Sequence, residues 1–268
     1  PDTESHFRHP FTERPTLCVL GDLVDVGAKE GFSRDARYVA RKAEAYLGKL
    51  RRGESSQWLP ELEFYLFDSL EVMGRPGHCG YKMLSREAGA LDGEPRVPEH
   101  ENLKRGYHSA SPEDRFEDVR AEMCALLAAA GIPVKYHHHE VGAAGQVEIE
   151  LNFMPLVKAG DGVGLAKWMI RNVADRRGLV ATFMPKPLYG EAGSGMHFHQ
   201  FLVKAGVSAF YDPKGAACLS KTGLHYVGGL LAHGRALSAF ANPSTNSYKR
   251  LVPGFEAPVR LTYSVGNR

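Results

Sequence analysis

The stretch WLPELEFYLFDSL, residues 58–70, alternates acidic and apolar side chains. Its glutamates Glu61 and Glu63 are two residues apart. They alternate with apolar residues: Leu62, Phe64, Leu66. Successive side chains of a β-strand point to opposite faces, so this spacing predicts a strand with one acidic and one apolar face. An acidic face can be an ordinary solvated sheet surface, or it can present carboxylates to a ligand.

The same alternation recurs in VKYHHHEVGAAGQVEIELNF, residues 134–153, which predicts two strands joined by a glycine-containing turn. Glu140 precedes this turn, and Glu148 and Glu150 alternate with apolar residues in the second strand. Only alternate members of the histidine run 137–139 can share a face, so we expect a structural role for most of them. Several carboxylates therefore project from one side of the predicted sheet.

A third stretch, KPLYGEAGSGMHFHQFL, residues 186–202, predicts a glycine loop that leads into a strand. His197 and His199 would lie on one face of that strand, which can be an ordinary half-buried strand or a ligand site. Carboxylate oxygens suit Mg²⁺ or Mn²⁺, and an added imidazole favours Mn²⁺. Two such ions can bridge nucleotide phosphates and an acceptor carboxylate. Spacing alone leaves open whether these strands meet.

Apolar residues at helical spacing predict helices between the strands. Residues 34–50 form one, with Ser33 as N-cap, an inner face that includes Val39, Ala43 and Leu47, and Gly48 as its end.

A second helix is predicted to start at Ser111 and Pro112, and a third at Asp161. Residues 224–241 predict a further helix, and the polar residues 75–108 predict a long loop. Strands and helices do not alternate strictly, which favours an α+β fold with a mainly antiparallel sheet.

Composition excludes several other classes of protein. The chain has 268 residues, 43% of them hydrophobic, and a net charge of +2, which gives no reason to expect nucleic acid or membrane binding. Its four cysteines form no CxxC pair, so neither a zinc site nor a disulfide framework is indicated. We therefore expect a reduced, cytoplasmic setting. The polar start of the chain lacks the apolar core of a signal peptide.

Four motifs, in this order, resemble bacterial-type glutamine synthetase: ELEFYLF, HHHEVGAAGQVEIE, KPLYGEAGSGMHFH and NPSTNSYKRLVPGFEAPV. The resemblance extends from about residue 16 to the last residue. It implies an α+β fold with a curved, mainly antiparallel β-sheet flanked by helices. Residues 1–30 would be the end of a small N-terminal β-grasp domain. Residues 31–268 would be the catalytic domain, truncated at its C-terminus.

The resemblance also implies a reaction. The family uses ATP to phosphorylate glutamate, and ammonia then displaces the phosphate to give glutamine. Two divalent ions, Mg²⁺ or Mn²⁺, take part. By motif position, Glu63, Glu140 and Glu148 match the ligands of the ion that helps organise glutamate and ammonia. Glu61 and His197 match two of the three ligands of the ion that holds the ATP phosphates, and Glu150 matches no family ligand.

Other positions match substrate-binding residues of the family. Gly193 matches a glycine whose main chain lies against glutamate, and His199 matches a residue near the nucleotide phosphates. Arg250 and Arg268 match arginines that hold the glutamate carboxylate and the transferred phosphoryl group. Tyr107 matches a residue that lines the ammonium pocket, and Glu256 matches a glutamate of the flap that closes the site. Ala192 departs from the pattern, because many members have a substrate-contacting asparagine at this position.

Because the family's chains are longer at both ends, we expect this chain to be the catalytic core of a longer protein and to make no glutamine alone. The resemblance implies a homo-oligomer, a ring that in this family is a dodecamer. The alanine at position 192 leaves open a related ligase that joins glutamate to another amine. A non-enzymatic structural or regulatory relative is a third alternative. The presence of every metal-binding glutamate that this part of the family's chain could contain argues against it.

Overall fold

The computed structural model describes residues 1–50, 53–88, 104 and 106–265. Seven strands of this described chain form one curled antiparallel sheet. They are β5 (Ser55–Phe67), β8 (Val134–His139), β9 (Gln146–Leu151), β10 (Met154–Pro155), β11 (Val180–Thr182), β12 (Met196–Lys204) and β13 (Val207–Ser208). The strand order is β13-β12-β5-β9-β8, and β10 and β11 also pair with β5. The predicted fold class, a curved antiparallel sheet flanked by helices, is confirmed.

The apolar face of β5 lies in the hydrophobic core, as the alternation predicts. Leu62 and Phe64 are 1% and 0% exposed, and both belong to the main buried cluster. The neighbouring strand β9 adds apolar residues to the same cluster: Val147, Ile149, Leu151. Because β5 and β9 are antiparallel partners with Glu63 opposite Glu148, their carboxylates must lie together on the other face.

Six α-helices lie within the described residues. They are α1 (Ala36–Leu50), α2 (Glu117–Ala129), α3 (Leu156–Arg176), α4 (Lys221–Ala232), α5 (Gly234–Ala241) and α6 (Thr245–Arg250). Helices α2 and α3 cover the apolar face of the sheet with buried residues such as Met123 and Ile170. This packing leaves the carboxylate face of the sheet uncovered by either helix.

Four predicted helix boundaries are wrong. Helix α1 starts after Asp35, whose carboxylate accepts hydrogen bonds from the backbone N–H groups of Arg37 and Tyr38, and it continues past Gly48. Helix α2 starts at Glu117 and not at Ser111. Helix α3 starts five residues before Asp161, directly after a proline.

The predicted helix over residues 224–241 is two helices, α4 and α5, that meet at His233. The first part of the predicted long loop is the turn and second strand of an antiparallel hairpin of β6 (Ser69–Arg75) and β7 (His78–Leu84). Much of the rest of the predicted loop lies outside the described residues.

Short strands precede the main body. Strand β1 (Asp2–Arg8) pairs with β2 (Leu17–Leu20), and β3 (Val24–Asp25) pairs with β4 (Glu30–Gly31). The stretch 16–26 therefore contributes to two small sheets. Among the described residues, we find no helix with the length and hydrophobicity that crossing a membrane requires.

Candidate active site

The carboxylate face of the sheet is built by three neighbouring strands. In β5, Glu61 pairs with His197 of β12 on one side and with Glu150 of β9 on the other. Glu63 pairs with Glu148 of β9. Because directly opposed residues of an antiparallel pair project to the same face, these side chains converge. The sheet register thus brings together acids that are about 90 residues apart in sequence.

Two groups of side chains on this face have the spacing of metal ligands. In the first, one ligand atom from each of Glu61, Glu150 and His199 lies within 4.8 Å of the others. His199 Nε2 is 2.6 Å from Glu61 Oε1. Glu150 is fully buried, and its Oε2 has no hydrogen-bond partner within the described structure. The other oxygen, Glu150 Oε1, lies 2.6 Å from Lys135 Nζ, so the charge of Glu150 already has a cationic partner. A buried carboxylate oxygen without a partner of its own can still accept a donor or a second cation.

The second group consists of His138, Glu140 and Glu148. His138 Nδ1 is 2.9 Å from the carbonyl oxygen of His139, and only an N–H can bond to a carbonyl. Burial lowers the pKa of His138, which favours the neutral ring. Its Nε2 then carries a lone pair and lies 3.7 Å from Glu148 Oε2. This is the arrangement in which a histidine can bind a metal ion.

Glu63 lies beside the two groups and has partners of its own. Its Oε1 is 3.0 Å from His197 Nε2, and its Oε2 accepts a 2.6 Å hydrogen bond from the backbone N–H of Gly195. Burial alone would raise the pKa of Glu63, but His197, the Gly195 N–H and Arg250 hold it below the usual value. The hydrogen bond to Glu63 raises the pKa of His197. Glu63 is therefore ionised near neutral pH.

Glu140 and Glu148 respond in the opposite way. Burial, followed by the charge of neighbouring carboxylates that include Glu63, raises the pKa of both groups. Crowded carboxylates without a cation cannot all ionise, because each charge disfavours the next. A divalent cation would remove this repulsion. The donor set, carboxylate oxygens with imidazole nitrogens, fits Mg²⁺ or Mn²⁺.

The glycine loop before β12 packs closely against Arg250. A Cβ atom at Gly193 would overlap Pro185 O and Arg250 Cγ, and one at Gly195 would overlap His197 Nε2 and Arg250 Nη2. Only glycine therefore allows this backbone to approach the guanidinium. Arg250 Nε is buried without a hydrogen-bond partner in the described structure, so one of its donors is available to a ligand.

The remaining predicted residues lie around this centre. Tyr107 packs against His108, with ring centroids 4.4 Å apart and ring planes tilted by 45°, and meets His138 edge-on at 5.3 Å. Glu256 is exposed, yet its charge acts on Glu140, which places it near the acidic face. Its neighbour Phe255 lies beneath the ammonium groups of two lysines, Lys104 and Lys186. Arg268 lies outside the described residues.

Sequence reasoning left out two residues that the structure places among these groups. Glu150, which we expected to be uninvolved, lies with Glu61 and His199. His138 lies with Glu140 and Glu148, although the histidine run was expected to be mainly structural. A signal for His138 was present, because it is two residues from Glu140 and must share its face. Its neighbours have other contacts: His137 contacts Arg120, and His139 is buried beside Glu87.

The amino-acid sequence is similar to known proteins over its whole length. Residues 33–268 match the family model described as "Glutamine synthetase, catalytic domain". The chain is 44% identical to glutamine synthetase of Azotobacter vinelandii over 100% of its own length and 58% of that protein. It is 46% identical to 3-hydroxylaminophenol mutase of Cupriavidus pinatubonensis, with the same coverage. The chain thus spans somewhat more than half the length of these relatives.

The structural comparison agrees. Glutamine synthetase of Plasmodium falciparum, solved by cryo-electron microscopy, superposes with a TM-score of 0.86 at 26% sequence identity. The match covers 94% of this chain and 50% of the other. Sequence and fold lead to the same conclusion: the chain belongs to the glutamine synthetase family and carries its catalytic domain.

Proposed function

We propose that the protein joins ammonia to L-glutamate at the expense of ATP. The products would be L-glutamine, ADP and phosphate, with γ-glutamyl phosphate as the intermediate. The observation that carries this proposal is the convergence of Glu61, Glu63, Glu140, Glu148 and His197 on one face of the sheet. A reaction between a nucleotide and a second anion needs such a concentration of cation ligands.

The proposal assigns two divalent cation sites to this face. Glu63, Glu140 and Glu148 would hold one ion. Glu61 and His197 would hold the other, and Glu150 and His199 lie close enough to Glu61 to assist. When bound, the ions neutralise phosphate and carboxylate charge and lower the cost of bringing the anions together.

The protein's own groups would then position the substrates. The backbone at Gly193 offers a surface without a side chain against which glutamate can lie. Arg250, whose Nε is unpaired, would bind a carboxylate or phosphoryl oxygen. Arg268 is proposed for the same task from its motif alone.

Closure is the proposed role of the segment that carries Glu256. This flap would exclude water that otherwise hydrolyses an acyl phosphate, and Glu256 would accept a proton from bound ammonium. Tyr107, packed against the histidines beside Glu140, would line the ammonium pocket. The contacts of Phe255 with two lysines support a flap held close to the site.

The test uses the intact protein with ATP, glutamate, ammonium and Mg²⁺ or Mn²⁺. We expect phosphate release that depends on both glutamate and ammonium, with glutamine formed in equal amount. Glu63→Gln should reduce kcat by at least about a hundredfold, because it removes charge from the centre of the site. Phosphate release without glutamine formation would exclude this reaction. Absence of any nucleotide turnover would favour the non-enzymatic alternative.

A second candidate function rests on the relative named 3-hydroxylaminophenol mutase, which is 46% identical to this chain. We propose 3-hydroxylaminophenol as an additional substrate to be assayed without ATP. A ligase that joins glutamate to another amine is a further alternative, because the buried residue Ala192 occupies a position where many family members have asparagine. ADP release that prefers a primary amine over ammonium would identify that ligase.

Assembly and location follow from the same proposal. We expect a homo-oligomer, a ring of the family's dodecameric kind, in the cytoplasm. Light scattering coupled to size-exclusion chromatography measures the mass of the intact protein, and a monomer at micromolar concentration would contradict the ring.

A further inference from the structure

His139 and Glu87 form a buried polar pair behind the proposed metal site. Both side chains are 3% exposed, and His139 Nε2 lies 2.8 Å from Glu87 Oε2. His139 Nδ1 lies 2.6 Å from the carbonyl oxygen of Glu140. A carbonyl oxygen can only accept, so Nδ1 must carry a proton and donate it. The imidazole therefore links the Glu87 carboxylate to the main chain of a proposed metal ligand.

The position of Glu140 explains why such a link matters. Strand β8 is an edge strand, and Glu140 follows its last residue, so few ladder hydrogen bonds hold it. Its backbone N–H donates to Gln146 O, while its carbonyl points away from β9 and towards the His139 ring. Without His139, the direction of this peptide group would depend on the loop that follows.

The far end of the pair is fixed to a different part of the chain. Glu87 Oε1 accepts a 2.7 Å hydrogen bond from the backbone N–H of Arg115, next to the start of α2. Gly106 packs against the ring near its Nδ1 and Cε1 atoms, where a Cβ atom would overlap both the Glu140 carbonyl and the His139 imidazole. The ring is thus closely packed near Nδ1 and bound to Glu87 at Nε2, and it can transmit that rigidity to Glu140.

We infer that His139 is a positioning residue whose Nδ1–H fixes the main chain of Glu140 so that its carboxylate meets the bound cation. The inference rests on the metal site of the proposed function. It assigns no chemical step to His139, whose ring lies on the opposite side of the strand from His138. Outer partners of metal ligands typically change metal affinity by about 10- to 100-fold when they are removed.

The test separates the two ring nitrogens. In His139→Asn the amide NH₂ stands near the former Nδ1 and can still donate to the Glu140 carbonyl. In His139→Gln it stands near the former Nε2 and can reach only Glu87. His137→Asn is the matched control, because His137 lies on the same side of the same strand but contacts Arg120 and not Glu140. Electron paramagnetic resonance of Mn²⁺ measures binding to each intact variant without ATP, glutamate or ammonium.

We expect His139→Gln to weaken Mn²⁺ binding by about 10- to 100-fold, with His139→Asn and His137→Asn within about threefold of the wild type. The Mn²⁺ concentration needed for half-maximal turnover should rise in His139→Gln, while kcat at saturating Mn²⁺ is kept. A general loss of folding would instead change both the Mn²⁺ concentration for half-maximal turnover and kcat, in His139→Gln and in His139→Asn alike.

Equal Mn²⁺ affinity in His139→Gln and His139→Asn would overturn the inference, and so would wild-type protein that binds no Mn²⁺. Wild-type protein that binds Mn²⁺ with the expected order of variants but forms no glutamine would overturn the proposed reaction and support the positioning role.

Discussion

Glu148 is buried beside other carboxylates, and its raised pKa has a consequence for stability. In the unfolded chain the group titrates near 4.5, whereas in the folded protein burial and the charges of Glu63 and Glu140 keep it protonated to higher pH. A raised pKa stabilises the folded state below pH 4.5, and this contribution is lost as pH rises through the folded value. Without divalent cations, Glu148→Gln should therefore be more stable than the wild type at pH 8, by more than about 1 kcal/mol.

Urea unfolding at pH 4 and pH 8, with and without Mn²⁺, measures this effect. The difference between Glu148→Gln and the wild type should disappear at pH 4. Added Mn²⁺ should stabilise the wild type more than the variant, because the cation takes over the charge that destabilises the apo protein. A wild type that is the more stable of the two at pH 8 without cations would contradict the crowding of carboxylates.

Gly195 gives a second prediction at this scale. Any Cβ atom there would overlap His197 and Arg250, so Gly195→Ala should displace both side chains. A displacement of about 1 Å can reduce turnover by about a hundredfold, and we expect a loss of kcat of that order. Gly228→Ala is the control, since nothing lies within 4 Å of its Cβ position on α4. Steady-state kinetics of both variants are the measurement, and unchanged kcat in Gly195→Ala would contradict the close approach.

The acidic half of the site could be predicted from the sequence because strand alternation is a local rule. Glu61 and Glu63 had to share a face, and so did Glu148 and Glu150. The grouping of these residues could not be predicted, because it depends on the register between strands. That register places Glu61 opposite Glu150, a pairing that no local pattern reveals.

Among the elements, helix starts were predicted least well, and α2 illustrates the reason. Ser111 and Pro112 have the sequence of a helix start, but Asp114 is buried and its carboxylate binds the guanidinium of Arg120. The same carboxylate accepts a hydrogen bond from the backbone N–H of Phe116, just before the helix. A buried ion pair formed in the folded protein thus decides where α2 begins. Local propensity does not contain that information.

Asp114→Ala should therefore destabilise the protein far more than Ser111→Ala. It leaves the buried Arg120 without its partner, which typically costs about 3–5 kcal/mol. Ser111 is exposed, and its replacement should change the free energy of unfolding by less than about 0.5 kcal/mol. Urea denaturation at pH 7 is the measurement. Equal effects of the two substitutions would restore Ser111 as the helix cap.

The same pair predicts a pH dependence. Burial would raise the pKa of Asp114, but the hydrogen bonds and charge of Arg120 outweigh burial and hold it below the usual 3.8. A lowered pKa gives stability above 3.8 that is lost as pH falls through the folded value. The difference in unfolding free energy between the wild type and Asp114→Ala should thus shrink when the pH is lowered from 5 to 2.

At the scale of the whole molecule, the fold class was predictable because it follows from the types of element and not from their ends. The packing of α1 was not. Its apolar spacing pointed to Val39, Ala43 and Leu47 as the inner face; Leu47 is half-buried, yet Val39 is 50% exposed and Ala43 is exposed as well. The other half-buried positions of the helix do not follow the apolar spacing: Arg37, Tyr38, Ala40, Glu44. Polar contacts of Arg37 with α3 and of Glu44 with β5 select this face over the more apolar one.

Arg37 also joins the first strands to the catalytic domain, and this gives the last prediction. Its guanidinium binds Asp161 of α3 at 2.8 Å, Asp2 of β1 at 2.6 Å and Asp22 at 2.8 Å. The side chain is only 11% exposed, so Arg37→Leu leaves Asp161 without its cationic partner and leaves Asp2 and Asp22 with Arg41 alone. We expect a loss of roughly 2–3 kcal/mol, below the range for a fully buried pair. Hydrogen exchange in β1 and β2 should accelerate before exchange in the main sheet, because only the attachment of this hairpin is broken.

Arg41→Leu is the matched control: Arg41 contacts Asp2 and Asp22 but not α3, and its side chain is 44% exposed. Acceleration that is uniform over β1, β2 and β5 in Arg37→Leu would mean that the first strands and the catalytic domain unfold as one unit.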